Sequence, residues 1–285
     1  METQTIDLHM HSTASDGTDD PLCLAEKVKS AGFSVFALTD HDTVTGADRL
    51  SEHPPEGVTF LSGIEFSCRM SSGKCHILGY GCNTAHPAFR DALAQGATLR
   101  KAKLEKRIEF LRERGICFPE DELNRLRRIP GVAKPHLGNL MVQYGYAPDK
   151  QTAIADTINL CSTGSSRIAA ETAVRAILAS GGIPVWAHPL GGEGEKQIKP
   201  EQFRKMLDEL TGCGLMGLEC YYSKYPFAMC EKLAETAREC GLLISGGSDY
   251  HGTNKSISPG TLNAENRSVS PEQITILSVL TEKKF

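Results

Sequence analysis

Hydrophobic and polar positions alternate in two different periods along this chain. "TIDLHMH" (5–11) reads as a strand, because Ile6, Leu8 and Met10 point one way while Asp7, His9 and His11 point the other. A helix follows over "PLCLAEKVKSAG", then a strand "FSVFALTD", a helix "TVTGADRLSEH", and strands "VTFLSGIEFSC" and "CHILGYG". That order predicts βαβ units and a largely parallel sheet. From 86 to 160 the pattern turns helical, with Leu104, Ile108 and Leu111 at helical spacing beneath the charges of "LRKAKLEKRIEFLRERG", then segments around "EDELNRL" and "KPHLGNLMVQYG". Alternation returns with helix "AAETAVRAILASGG", strand "IPVWAHP", helix "PEQFRKMLDELTGCG", strand "LMGLECYY", helix "PFAMCEKLAETARECG", strand "LLISGGSDYH" and a terminal helix near "PEQITILSVL". The simplest α/β architecture is a (β/α) barrel-like domain, residues 1–85 and 161–285, interrupted by a helical insertion, residues 86–160. Functional groups of such barrels gather where strands end.

Composition narrows the picture without changing it. Across 285 residues, 40% hydrophobic and 23% charged is ordinary globular usage, and a net charge of -4 offers no general pull toward nucleic acid or membrane. No apolar run is long enough to span a bilayer. The ten cysteines are scattered through strands and helices and no secretory signal precedes the first strand, so a reduced, cytoplasmic protein is expected. Cys68, Cys75 and Cys82 are evenly spaced, but without a CxxC pair they read as core residues, not as a zinc knuckle.

The chemistry sits in the histidines. His9, His11, His41, His76, His136, His188 and His251 lie near strand ends or beside acids, and Asp16, Asp40, Asp42, Glu65 and Asp249 accompany them. Residues at i and i+2 on a strand are about 6.7 Å apart and face the same way, so "HMH" can close on a cation at about 2.1 Å from each nitrogen. "DYH" repeats that spacing with a carboxylate, and Glu65 has two oxygens with which to bridge. Gathering these groups without cations would crowd like charges in a desolvated place, which predicts a multinuclear metal site. Mixed nitrogen and oxygen ligands without thiolate suit Mn, Fe or Zn better than Ca or Mg.

"DLHMHSTASDGT", "ALTDHDT", "GIEFS" with "HILGYG", "AHP" and "GGSDYHG" occur in the order seen in the PHP (polymerase and histidinol phosphatase) superfamily, which the chain resembles over nearly its whole length. The likeness is greatest to the small stand-alone branch of nucleoside 3',5'-bisphosphate phosphatases and cyclic phosphate dihydrolases. It implies a distorted (β/α)7 barrel holding two to three divalent ions, Mn first, with Fe or Zn as alternatives. It further implies His9, His11, Glu65 and Asp249 on one ion, Glu65, His76 and His136 on a second, and Asp16, His41 and His251 on a third. "KPH" carries Lys134 where the family has arginine.

Two cations about 3.5–4 Å apart can turn water into a nucleophile at neutral pH and offset charge on a phosphoryl group, so phosphoester hydrolysis is expected. His188, left over once three ions are assigned, is the candidate general acid. Lys134, Arg167 and Ser165 are the candidates for holding substrate phosphate. The charges of "KAKLEKR" and "RLRR" (125–128) read as solvated helix faces, and Glu219 as a supporting or strand-end carboxylate. The expected substrate is a small phosphorylated sugar or nucleotide or a cyclic phosphate, with nucleic acid limited to short oligonucleotides. The alternatives are an exonuclease on such oligonucleotides or a histidinol-phosphate-type phosphatase.

Overall fold

A computed structural model describes residues 5–164, 166–193 and 195–282. The described residues form eight strands: β1 (Thr5–Asp7), β2 (Phe33–Leu38), β3 (Thr59–Met70), β4 (Gly73–Tyr80), β5 (Ile168–Ala169), β6 (Ile183–Ala187), β7 (Gly217–Tyr222) and β8 (Leu243–Gly247). The helices are α1 (Pro21–Ser30), α2 (Thr45–Glu52), α3 (Pro87–Arg112), α4 (Glu120–Arg128), α5 (Lys134–Gln143), the short α6 (Lys150–Thr152), α7 (Ala170–Ala179), α8 (Pro200–Gly212), α9 (Phe227–Glu239) and α10 (Ile276–Glu282). Local chemistry explains several starts. Asp20 caps α1 by accepting from the Leu22 N–H at 3.0 Å, and proline opens α1, α3 and α8, where a missing N–H costs nothing.

Seven strands lie in the order β1-β2-β3-β4-β6-β7-β8, with β5 pairing β3 beside that path. The ends approach each other: the Leu8 N–H donates to Gly246 O (3.1 Å), the Asp249 N–H to His9 O (2.8 Å), and Met10 bridges Tyr250. The sheet is therefore a nearly closed barrel, as expected. Two details differ from expectation. β1 stops at Asp7, so His9 and His11 lie on the segment that leaves it. β4 runs antiparallel to both β3 and β6, because the two residues between β3 and β4 leave no room for a parallel crossover.

The largest apolar cluster fills the barrel and the space under its helices, with Leu8, Phe66, Tyr80, Trp186 and Tyr221 fully or almost fully buried. A second cluster joins the later part of α3 to α4 and α5 through Leu104, Ile108, Leu111, Leu123, Leu126, Leu137 and Leu140. α3 belongs to both, since Phe89 and Ala92 near its start pack in the barrel cluster. No helix among the described residues is long and apolar enough to cross a membrane.

Closure of the barrel depends on a glycine. A Cβ on Gly247 would stand 2.2 Å from the Cβ of His9 and 2.6 Å from its backbone nitrogen. Gly247→Ala therefore forces β8 away from the first segment and costs about 1–3 kcal/mol of unfolding free energy, to be read from urea denaturation of the two proteins.

Candidate metal centre

The loops that follow β1, β2, β6 and β8 and the inward faces of β3 and β4 meet at one end of the barrel. Glu65, fully buried in the middle of β3, is the centre. Its Oε2 lies 3.4 Å from His9 Nε2, 3.3 Å from His11 Nε2 and 2.8 Å from His41 Nδ1. Its Oε1 lies 2.8 Å from His76 Nδ1 and 3.0 Å from His188 Nε2. Register produces this convergence. Ser67 on β3 faces His76 on β4, which puts Glu65 and His76 on one face, and His76 in turn faces Ala187, the residue before His188.

Around this hub, three groups of ligand-type atoms come together: His9, His11 and Asp249; His41, Glu65 and His76; and His11, Asp16, His41 and His251. Asp249 Oδ1 is 3.7 Å from His9 Nε2 and 3.3 Å from His11 Nε2, and Asp16 Oδ1 is 3.2 Å from His251 Nε2 and 3.8 Å from His41 Nε2. Six buried atoms in the cluster have no hydrogen-bond partner among the described residues: His9 Nε2, His11 Nε2, Asp16 Oδ1, His41 Nδ1, Glu65 Oε2 and His76 Nε2. Several are close to one another yet misaligned for hydrogen bonding, because they aim at shared points instead. Orphaned buried donors and acceptors are rare, and a set of imidazole and carboxylate atoms orphaned together fits divalent cations.

The atoms behind the ligands set their direction. His9 Nδ1 donates to Glu219 Oε1 at 2.9 Å, and Glu219 Oε2 accepts the His188 backbone N–H at 2.6 Å. His251 Nδ1 donates to the Asp249 carbonyl at 2.8 Å, and His188 Nδ1 lies 3.7 Å from Glu195 Oε2. The bonds of His9 and His251 commit Nδ1 and leave Nε2 facing inward, the support that a metal-binding histidine needs. Asp249 Oδ2 is held by Lys255 Nζ (2.5 Å) and Tyr222 Oη (3.0 Å). Three of the non-glycine residues with left-handed backbone, Asp42, His188 and Asp249, border this cluster, where such strain concentrates.

The acids flanking His41 serve the scaffold. Asp40 accepts from the Ser12 backbone N–H and from the Ser12 and Ser15 hydroxyls, and Asp42 is buried against the Arg100 guanidinium (2.9 and 2.5 Å). His136 departs from the implied ligand set. Its Nδ1 accepts the Ala133 N–H at 3.0 Å at the start of α5, and it joins none of the three groups, while His41 stands with Glu65 and His76. Lys134 and Arg167 line the same cleft as His41, His76, His188 and His251; Ser165 lies outside the described residues. The cleft encloses about 440 Å³. Glu219, Glu195, Tyr222, Lys255, Arg100, Lys103 and Arg107 were not singled out as site residues by the sequence reading.

Electrostatics match the geometry. Burial opposes a proton on His9, but Glu219, Glu65 and Asp249 outweigh it and raise its pKa well above the ordinary value. His11 is likewise pushed up to about 9 by Asp249 and Glu65 against burial. Burial holds His41 down at about 4 despite Glu65 and Asp16. Glu65, Asp16 and Asp249 stay well below the usual carboxylate range, the surrounding imidazoles (and Lys255 for Asp249) overcoming the burial that works against their charge.

A model of the PHP domain matches residues 7–112. A 5'-3' exoribonuclease of Haemophilus influenzae is 30% identical over 87% of this chain and 90% of its own length. A phosphoribosyl 1,2-cyclic phosphate 1,2-diphosphodiesterase of Eggerthella lenta is 31% identical over 86% and 94%. A solved structure from Bifidobacterium adolescentis, described as a candidate metal-dependent phosphoesterase, superposes with a TM-score of 0.83 at 25% identity, covering 98% of this chain and 96% of that one. A barrel with histidines and carboxylates at one mouth thus defines a metal-dependent phosphoesterase of the PHP class. The chain belongs to the PHP domain family.

An ion held by His9 and His11 would have to displace the protons that the carboxylates hold there. Ion binding to the stripped protein is accordingly expected to release protons and to tighten as pH rises from 6 toward 9, where His11 loses its proton unaided. Calorimetric titration with Mn in two buffers of different ionisation enthalpy measures the release. Glu219→Gln weakens that binding about 10- to 100-fold while leaving every ligand atom in place.

Proposed function

We propose that this chain hydrolyses phosphate esters of small molecules: phosphodiesters, including cyclic phosphates, and phosphomonoesters of phosphorylated sugars or nucleotides. The observation that carries the reading is the joining of two features in one cleft: a cluster of orphaned ligand atoms around Glu65, and a wall of lysine and arginine facing it. Cations on one side and fixed positive charge on the other suit a substrate that is itself anionic.

We assign His9, His11, Glu65 and Asp249 to one ion, Asp16, His41 and His251 to a second, and Glu65, His76 and His188 to a third. His188 replaces His136 because its Nε2 meets the Glu65 oxygen that His76 also meets, and Glu195 backs its other nitrogen. Two to three ions, Mn first and Fe or Zn as alternatives, supply Lewis-acid activation of water and offset charge on the phosphoryl oxygens when bound. The protein's own residues do the rest. Glu219 holds His9 in the tautomer that faces inward and anchors the His188 backbone, and Glu195 places negative charge on the outer side of the His188 ring. Lys134, whose Nζ donates to Asn159 Oδ1 at 2.6 Å, and Arg167 orient the phosphate from the helical segment 86–160 and from the approach to β5. Burial and the nearby arginines bring the Lys134 pKa down to about 8, so it keeps most of its charge at neutral pH.

A second reading, 5'→3' removal of nucleotides from short RNA, is favoured by the exoribonuclease relative. Phosphate release from monoesters, cyclic diesters and 5'-phosphorylated oligoribonucleotides by Mn-loaded protein separates the two, with His9→Asn as the control that loses activity by at least about 100-fold. Turnover confined to oligonucleotides overturns the small-molecule reading. His188→Asn is expected to lose bound metal along with activity; full metal content with slow turnover of poor leaving groups would make His188 the proton donor instead.

A further inference from the structure

Segments 9–11 and 249–251 lie side by side. The Asp249 N–H donates to His9 O at 2.8 Å, the His11 N–H donates to Tyr250 O at 2.9 Å, and Met10 pairs with Tyr250 as a parallel bridge. His9, His11, Asp249 and His251 therefore turn toward the metal cluster, while Met10 and Tyr250 turn outward into an apolar cluster with Leu24, Val28 and Phe36. The Tyr250 ring is buried there, but its hydroxyl comes out among polar groups. It donates to Asp19 Oδ2 at 2.6 Å and accepts from Lys27 Nζ at 2.7 Å, and Lys27 Nζ donates to the same Asp19 oxygen at 2.5 Å. None of these three residues lines the cleft. Asp19 also closes the loop that carries Asp16, since its carbonyl accepts the Thr13 N–H at 2.9 Å. Two further bonds continue the seam, from the Thr253 N–H to Thr18 Oγ1 (2.9 Å) and from Asn254 Nδ2 to Asp16 O (2.7 Å). A Cβ on Gly252 would stand 2.0 Å from Thr18 Oγ1, so the two chain segments are in close contact.

We propose, resting on the assignment of three ions above, that Tyr250 acts through Asp19 as a positioning residue: it sets how tightly the group of Asp16, His41 and His251 holds its ion, separately from the other two groups. The support behind each carboxylate differs. Asp249 is gripped directly, by Lys255 Nζ and Tyr222 Oη at Oδ2, and Glu65 is fixed in mid-strand. Asp16 has no such grip. Among the described residues no side chain outside the cluster hydrogen-bonds its carboxylate, so its aim is set by its loop, and the loop is held from outside by the seam. Taking away the Tyr250 hydroxyl opens the Asp19 end of that seam and leaves the backbone bonds joining segments 9–11 and 249–251 intact. The ligands of the first ion stay where they are. A looser loop lets Asp16 wander from His41 and His251, and the cost of ordering it again falls on the binding of one ion alone.

The test titrates Mn calorimetrically into the stripped full chain as wild type, Tyr250→Phe, Asp19→Asn, the double variant and Asp16→Asn, with urea denaturation of each stripped protein alongside. Asp16→Asn identifies the ion that depends on this group. The same ion is expected to bind about 10-fold more weakly in Tyr250→Phe and in Asp19→Asn, with the remaining ions within about threefold of wild type. The double variant is expected to bind it no more than about threefold more weakly than either single one, because the two residues act in one chain of contacts. Should Tyr250→Phe fail to fold, Asp19→Asn decides alone, since the Asp19 side chain is part-exposed on its loop. Equal weakening of every ion, a lowered urea midpoint without selective loss, or no weakening at all overturns the positioning role. An Asp16→Asn protein that binds as many ions as wild type, equally tightly, overturns the assignment of an ion to this group and the proposal with it. Wild type that binds no Mn overturns the metal-dependent reading of the whole site.

Discussion

A single carboxylate, sealed from water and surrounded by imidazoles, is what the molecule is organised to hold. Glu65 sits at zero exposure in mid-strand with five histidine rings at its two oxygens. An ionised acid in such a place is unstable unless positive charge comes to it, and protons on the imidazoles or metal ions between them are the two available sources. The rings that reach Glu65 come from four places: the segment after β1, the exit of β2, β4 and the exit of β6. That run of neighbouring strands must therefore be assembled before the charge is balanced.

Around that centre lies an outer ring of acids and one lysine whose task is orientation. Glu219 serves two histidines at once, one through its ring and the other through its backbone, and so couples the exit of β1 to the exit of β6. Asp7 likewise ties the first segment to the last, accepting from the Ser248 hydroxyl and backbone and from Gly260; burial raises it to about 6 even so. Removing such groups would leave every imidazole and carboxylate of the cluster present and misaim it.

Much of this was legible in the sequence. The change from two-residue to helical periodicity marked nearly every element, and strand-end histidines beside acids named residues that meet around Glu65, with His136 standing apart from them. What escaped has physical reasons. The reversal of β4 was written in the few residues between "SCRM" and "CHIL", too few for a crossover. Glu219 is one carboxylate in an apolar strand, and nothing local says that it faces a histidine 210 positions away. Lys101 and Lys106 are solvent-facing as expected of a charged helix, whereas Lys103 and Arg107 are turned inward. The signal was their shared spacing with Leu104 and Ile108, which the density of surrounding charge conceals.

One unbroken helix of 26 residues serves both apolar clusters, anchored in the barrel by Phe89 and Ala92 and in the outer helices by Leu104 and Ile108. Each residue turns an α-helix by about 100°, so adding or removing one between these anchors would rotate the whole outer half relative to the barrel. The number of residues in that stretch therefore fixes which side of the outer helices looks at the histidine cluster: point changes there alter one side chain at a time, whereas a change of length re-aims all of them together.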